Sequence, residues 1–532
     1  MTRRLRIKAE DGYSLAAVML VLLATSIMAG ATLAAVGPDI PFARASQDRK
    51  EAYAAAEAGI EYYLYQLTRD NDYWRLCDSA PGPDGQPNPV NQQKPGAARR
   101  WRNVAGMPDA KFSVELLPAN GQTTCNTATA QAPTAPDLSM IDQNTGTFRI
   151  RATGVSRGER RSIVTTFRRN SFLDFIYFTD YEALDPLTLT DTADQTTARN
   201  SCVKYRADRP AWCGQSPHNM NITFPDWDNI NGPLHTNDNL LTCGSPDFGR
   251  GKQDAIEVVG PSVWTSTCAG APNFKGDIRH PAEYMPIPPS NDRLKENALT
   301  GYLYYGATTI RLQTDGKMDV TTHTSTGADV TYPDKPYPSN GVVFVEKTPN
   351  KSCSIPSPVR ITYPSGADCA VLTVNGTYNK SLTLGSRDDI LIDGNITQAP
   401  SSDSVLGLIA QRFVRVKHQV TSPCGGNSGT DGSGYFSNLT IEAAILALND
   451  SFIVDNWQCG SPLQVLTVNG AIAQKFRGPV GTFNSDSTRN SGYAKNYNYD
   501  DRFRYRSPPY FVEPVKASWK VVRQNEQVRA EG

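Results

Sequence analysis

Three hydrophobicity regimes follow one another along the chain. From Tyr13 to Val36 no residue is charged at neutral pH, and the run has about the 20 residues that a bilayer-spanning helix needs at ~1.5 Å per residue. Next, "ARASQDRKEAYAAAEAGIEYYLYQLTRD" sets apolar positions among charges. Ala56, Ile60, Tyr63 and Leu67 recur at i, i+4, i+7 and i+11, which predicts one buried face of a helix. Pro38 and Pro41 predict a kink or interruption between the two segments, because proline lacks the backbone donor and crowds the preceding turn. Beyond Cys77 the period changes from helical to alternating. "KFSVELL" reads as a strand, and Phe148–Gly154 and Arg161–Phe167 read as two strands about a glycine-containing turn.

After Asn170 short apolar runs such as "CAVLTVNG", "DDILIDGNI", "LGLIAQRFVRV" and "LQVLTVNGAIAQ" recur between Gly, Asn and Asp, with no long helical period from Thr300 to Val480. Short strands ended by turn formers, often apolar on both faces, predict a stacked β-solenoid, with a β-sandwich as the alternative. Gly394 and Asn395 are the expected residues of a corner at positive φ. The predicted class is α+β to mainly β: a long N-terminal helix, a small antiparallel sheet, then the solenoid-like head. The divisions are residues 1–12 (leader), 13–36 (apolar helix), 37–75 (helix continuation), 76–170 (small β region) and 171–532 (head).

Composition narrows the function. Lys+Arg and Asp+Glu balance at 53 each among 532 residues, so the concentrated basic surface that nucleic acid requires is not indicated. Ten cysteines all follow the apolar run, with no CxxC spacing. An even set placed after such a segment predicts disulfides in an oxidising compartment rather than a zinc or thioredoxin-type site. Nearest-neighbour pairing would join Cys77 with Cys125, Cys202 with Cys213, Cys243 with Cys268, Cys353 with Cys369, and Cys424 with Cys459, although sequence cannot fix connectivity.

Arg3, Arg4, Arg6 and Lys8 precede the apolar run, and the positive-inside rule then holds the leader in the cytoplasm and exports the remainder. A cleaved secretory signal is the alternative, with "ATLAAVGPDIP" offering a small-residue site. The junction "EDG/YSL" resembles the class III leader of type IV pilins and pseudopilins, and "AYAAAEAGIEYYLYQL" resembles the AEAG(I/L)E segment of PilX-type minor pilins. Three further stretches, "FLDFIYFTDYEALDP", "INGPLHTNDNLLTCGSPDF" and "TVNGAIAQKFRGPVGTF" with "GYAKNYNYDDRFRYRSPPYFVEP", resemble segments of large-headed members of that group. The resemblance implies cleavage by a prepilin peptidase between Gly12 and Tyr13. It implies filament packing through Leu15, Ala17, Val18 and Leu22, with other pilins as partners. Most major pilins carry glutamate at the fifth mature position. Ala17 stands there in this chain, which points to a minor subunit, since an unpartnered carboxylate in lipid is costly.

Candidate chemistry elsewhere is sparse. "DWDNING" places Asp226 and Asp228 at the first and third positions of a calcium loop, but Ile230 and Gly232 break the pattern. His235 near Asp238 is the most site-like histidine. "SRDDILIDG" places Asp388, Asp389 and Asp393 close together, as the acid/base work of a solenoid glycosidase requires, although acidic residues at solenoid corners also serve as turn formers. "CGGNSGTDGSG" lacks the GK[ST] ending of a phosphate loop. The tyrosine- and arginine-rich tail from Tyr493 to Tyr510 reads as a strap across the head, or as a stacking surface for glycan or nucleic acid. The expected function is therefore non-enzymatic and without a cofactor: a minor pilin or pseudopilin anchored in the cytoplasmic membrane and displaying a β head at the cell surface, where it could meet a glycan or protein ligand. An uncleaved, membrane-anchored adhesin and a polysaccharide-degrading solenoid are the alternatives.

Overall fold

The computed structural model describes residues 13–36, 39–69, 73–75, 85–92, 99–119, 140, 142, 147–169, 171–324, 327–355, 366–420, 436–484, 488–504, 506–514 and 519–527. It is mostly β, with helices at the N-terminus and large sheets beyond. The chain divides into two compact units, one built from residues 1–130, 148–167 and 521–532, the other from 131–147 and 168–520.

In the first unit, helix α1 spans Tyr13–Val36 and helix α2 spans Asp39–Arg69. Gly37 and Pro38, and with them part of the expected kink, lie outside the described residues. Pro41 lies inside the first turn of α2, where its missing N–H has no helical partner to lose. The apolar stripe packs as its spacing requires: Ala52, Ala55, Ala56, Ile60, Tyr63 and Leu67 are all buried. Their counterpart is a sheet whose strands Met107–Leu117 and Thr147–Ser156 run antiparallel, Val114 facing Ala152 and Leu116 facing Ile150. Thr147–Ser156 turns into Glu159–Arg169 through Arg157 (φ 44°) and Gly158 (φ 95°), the two positive φ values that a tight hairpin with right-handed twist demands. Val90–Gln92 adds a parallel strand. The edge beyond Glu159–Arg169 is completed by Trp519–Gln527 from the far end of the chain, a return that the expected boundary at 171 does not anticipate.

Helix and sheet approach closely because the residues between them are small. A Cβ on Gly154 would stand 2.0 Å from the Ala52 carbonyl oxygen and 2.4 Å from the Ala56 nitrogen. Gly59, last residue of the AEAG segment, faces Phe112 and Ala152. Beyond them Tyr63, Phe148, Phe167 and Trp74 interlock, with the Phe148 and Phe167 rings stacked at 5.1 Å.

The second unit is mainly a parallel ladder of strands, with Lys317–His323, Asp329–Pro336 and Gly481–Phe483 added antiparallel. One column of register partners runs Val343, Leu384, Leu408, Ile445, Ile472, Tyr177, Leu234, Ile256 and Ile278. A second runs Ile310, Val374, Ile392, Val416 and Val454. A third runs Ile396, Ile441, Val468, Tyr497, Ile230, Phe248 and Phe274. Like residues stacked at strand spacing bury a shared apolar core, which gives out at the end where Ile278 is exposed, and parallel strands covered on both faces read as unbroken hydrophobic runs. "LTLGS" and "LGLIA" are buried at every position.

The order within these columns departs from chain order. The polypeptide enters mid-ladder at Tyr177, climbs through Leu234 and Ile256 to Ile278, and then resumes at the opposite end. From Leu303 it winds back until Ile472 docks beside Tyr177. An asparagine ladder crosses the same seam: Asn498 donates to Asn469 at 3.1 Å and Asn231 donates to Asn498 at 3.0 Å. The seam thus joins the first and last turns of the ladder.

Two local expectations change. Ile390–Gln398 is one strand, and the positive φ falls not on Gly394 or Asn395 but on its neighbour Gly376 (φ 109°). There the register slips and a Cβ would meet the Leu312 oxygen at 2.2 Å. The tail is not a strap over its first half: Arg489–Tyr499 is an interior strand of the ladder with Tyr493, Tyr497 and Tyr499 buried. Only afterwards does it lie across the ladder, where Pro508 and Phe511 pack on Gly407. Helix Thr192–Ser201, capped by Asp191, carries no apolar period and is not legible from sequence.

Candidate functional site

Two places in the molecule present unusual surface. The first is α1. Its apolar side chains are solvent-exposed, Leu15 at 72 %, Val18 at 57 % and Leu22 at 59 %, and Ala17 is exposed with them. Met19, Leu20, Leu23, Ile27 and Met28 are similarly bare, so the exposure covers every side of the helix rather than one stripe. Among the described residues no helix is long and apolar enough to cross a membrane; the described side chains of α1 run from Leu15 to Ala31. The membrane span expected over Tyr13–Val36 is therefore not found. A contiguous apolar surface of this kind marks an interaction site. Gly12 lies outside the described residues, as does the side chain of Tyr13.

The second place is the seam. Glu182, fully buried, accepts from the Tyr177 hydroxyl at 3.0 Å and faces Arg477 at 3.7 Å. Arg477, also buried, donates to the carbonyls of Ile222 and Thr223 and lies 3.6 Å from Asp228. Asp228 in turn receives the buried Lys495 ammonium. Burial pushes the Lys495 pKa down and the Glu182 pKa up, and the opposite charges partly restore both. These residues come from all three of the C-terminal stretches named above or lie beside them, so segments far apart in sequence form one cluster. Above it opens a cavity of about 380 Å³ with Trp227, Trp457, Phe483, Arg489 and Tyr493 in its wall. Trp227 and Phe483 meet edge to face at 5.5 Å.

A smaller cavity of about 260 Å³ is lined by Asp185, Arg199, Asp450 and Lys475. Asp185 and Asp450 act on each other electrostatically, while Asp185 Oδ1 accepts from the Leu187 N–H. Burial first, and the Asp450 charge second, push Asp185 well above the ordinary carboxyl range; burial raises Asp450 to about 6.

The sequence-derived candidates do not converge on either cavity as a set. Asp226 accepts from the Ser245 N–H and fixes the turn at Gly244, whereas Asp228 is buried in the seam cluster; the two do not share a ligand position. Among the described residues no group of three His, Cys, Asp or Glu side chains could hold a metal ion. His235 is buried against Phe178 and bonds Glu257 and Asn237, not Asp238. Asp238 caps backbone N–H groups and pairs with Arg209. Asp388 pairs with Lys347, Asp389 with Arg415, and Asp393 accepts from Asn375. The carboxylate cluster thus dissolves into separate structural contacts. Disulfides join Cys202 to Cys213, Cys243 to Cys268 and Cys353 to Cys369. Cys459 is also disulfide-bonded; Cys77, Cys125 and Cys424 lie outside the described residues, as do residues 424–434 and Tyr505. The seam cavity has no motif in sequence, because its aromatic residues are spread over more than 260 positions, from Trp227 to Tyr493.

No family model matches the chain, and no curated protein matches it. Among solved structures it aligns with the crystal structure of the competence-associated pilin ComZ from Thermus thermophilus at 13 % identity, over 90 % of this chain and 97 % of that one, with a TM-score of 0.26. At that score the alignment does not establish a shared fold.

Proposed function

We propose that the protein is a minor pilin or pseudopilin-like subunit, of the PilX type, that inserts α1 among the helices of neighbouring pilins and displays its larger unit at the cell surface. The observation that carries this reading is the all-round exposure of apolar side chains on α1, followed by an α2 whose single apolar face is satisfied by its own sheet. A helix that is hydrophobic on every side needs neighbours on every side, and bundled copies of similar helices provide them. The EDG/YSL junction and the AEAG segment support the same reading from sequence, with prepilin peptidase as the processing partner. Ala17, exposed and uncharged, suits a subunit that enters the filament without a buried glutamate contact.

The displayed unit is read as a β-solenoid. Parallel columns of like residues support this over a sandwich, whose sheets are antiparallel. The role is mechanical rather than enzymatic, since Asp388, Asp389 and Asp393 are committed to separate partners. Mass spectrometry of the mature N-terminus tests the proposal. An N-methylated Tyr13 is expected; an intact Met1 would overturn it in favour of an uncleaved surface adhesin.

A further inference from the structure

The seam cavity contains a cation that no described carboxylate neutralises. Arg489 is partly buried, and among the described residues no carboxylate acts on it. Its one bond is from Nη1 to the Gln464 carbonyl at 3.2 Å. Its Nε–H is shielded from solvent and donates to no atom among the described residues, and the same holds for the indole N–H of Trp457. Every other buried cation at the seam is answered: Arg477 by Glu182 and Asp228, Lys495 by Asp228. Shielded donors without acceptors are rare in folded proteins and are kept where something else meets them. A partly shielded guanidinium is well met by a carboxylate or similar anion, which it can bind in bidentate fashion.

The walls of the cavity add a second requirement. Trp227, Phe483 and Tyr493 supply aromatic lining, and Asn221 lines the same cavity. The volume falls within the roughly 300–1,000 Å³ typical of small-molecule sites, which combine apolar walls with a few placed polar groups. Flat apolar faces beside hydrogen-bonding groups match a sugar ring, which has apolar C–H faces and a hydroxylated edge. We infer that this cavity binds an acidic saccharide, its carboxylate held by Arg489 and its ring packed on Trp227. The inference rests on reading the larger unit as a displayed head.

Isothermal titration of the full-length chain in mild detergent tests it, with trigalacturonate, a glucuronate-containing disaccharide and a sialylated lactose as acidic probes. Galactotriose and a tripeptide with a free C-terminal carboxylate serve as comparisons. At least one acidic saccharide is expected to saturate the site, with galactotriose and the tripeptide each at least tenfold weaker. Arg489→Gln should weaken acidic-saccharide binding tenfold or more and abolish the preference over galactotriose; Arg489→Lys should retain part of it. Trp227→Ala should weaken both sugars. Variants are compared only where their thermal transition matches the parent, and Arg489→Lys keeps the test open if Arg489→Gln does not fold. Failure of all three acidic probes, equal affinity for the tripeptide, or undiminished binding by Arg489→Gln would each overturn the site. The N-terminal mass is read independently. A methylated Tyr13 in a chain that binds no sugar rejects this site alone; sugar binding by a chain with an intact Met1 rejects only the pilin.

Discussion

Ile472 and Tyr177 are parallel register partners although 295 positions separate them in the chain (472 − 177). Each covers the other's strand edge, so neither the first nor the last turn of the ladder presents a bare row of N–H and C=O groups at this point. An unpaired parallel edge of hydrophobic strands is a template for aggregation. A chain ended after Gly460 loses both Pro462–Phe476 and Arg489–Tyr499 and exposes the edges of Tyr177–Tyr181 and Leu439–Ala447. Such a truncation is expected to be insoluble or oligomeric by size-exclusion chromatography in mild detergent, which covers α1 in every chain compared. Ile472→Ala, which leaves the edge paired, should remain monodisperse and lose about 2–5 kcal/mol in urea unfolding. A soluble, monomeric truncation would show that the seam does not close the ladder.

Gly154 provides a test in the first unit. Its substitution by alanine drives a methyl group into the backbone of α2 at Ala52 and Ala56, which cannot move aside as a side chain could. The expected cost is roughly 1–3 kcal/mol, as for overpacked cores, with faster proteolysis within α2. Gly59→Ala meets Phe112 and Ala152 side chains at 3.2–3.3 Å and should cost less. Equal stability of Gly154→Ala and the parent in thermal unfolding would refute the close approach.

Much of this first unit is legible in sequence, and the reasons are local. The stripe Ala56, Ile60, Tyr63 and Leu67 and the alternation in "KFSVELL" each report burial through a period set by the element itself. The ladder is legible as short strands but not in its order, because the docking of Ile472 on Tyr177 leaves no periodic trace. Its sites were harder still. Asp389 looks like part of an acidic cluster until Arg415, on the next strand of the ladder, is placed beside it. Trp227, Trp457 and Arg489 acquire meaning only when the seam brings them to one cavity.

Arg415 bridges two buried carboxylates, Asp389 at 3.0 Å and Asp455 at 2.7 Å, in a site almost fully closed to water. Arg415→Met removes the cation that both anions share. A loss of about 3–5 kcal/mol is expected, the usual result of breaking a buried pair from one side. Replacing all three residues together, with Asp389→Asn and Asp455→Asn added, should recover part of it. Urea denaturation of the parent and the two variants checks this; if Arg415→Met alone were neutral, the network would not be a structural one.

The Asp185–Asp450 pair makes the larger unit sensitive to pH in a definite direction. Burial is the main cause of both raised pKa values, and Asp450 titrates near 6 in the fold against an unfolded value near 3.9. Between those values the folded chain holds a proton that the unfolded chain has released, so this contribution to stability is complete below about pH 4 and is lost as pH rises through 6. Asp185, raised further by its neighbour's charge, extends the loss to higher pH. Asp450→Asn keeps a neutral partner for Asp185 at every pH and removes the repulsion. Relative to the parent, the variant should therefore gain stability between pH 4.5 and 7.5, by roughly 1–3 kcal/mol at the upper end. Parallel unfolding curves at the two pH values measure it. A difference that stays constant, or that shrinks as pH rises, would mean that the two carboxyls do not share a proton in the folded protein.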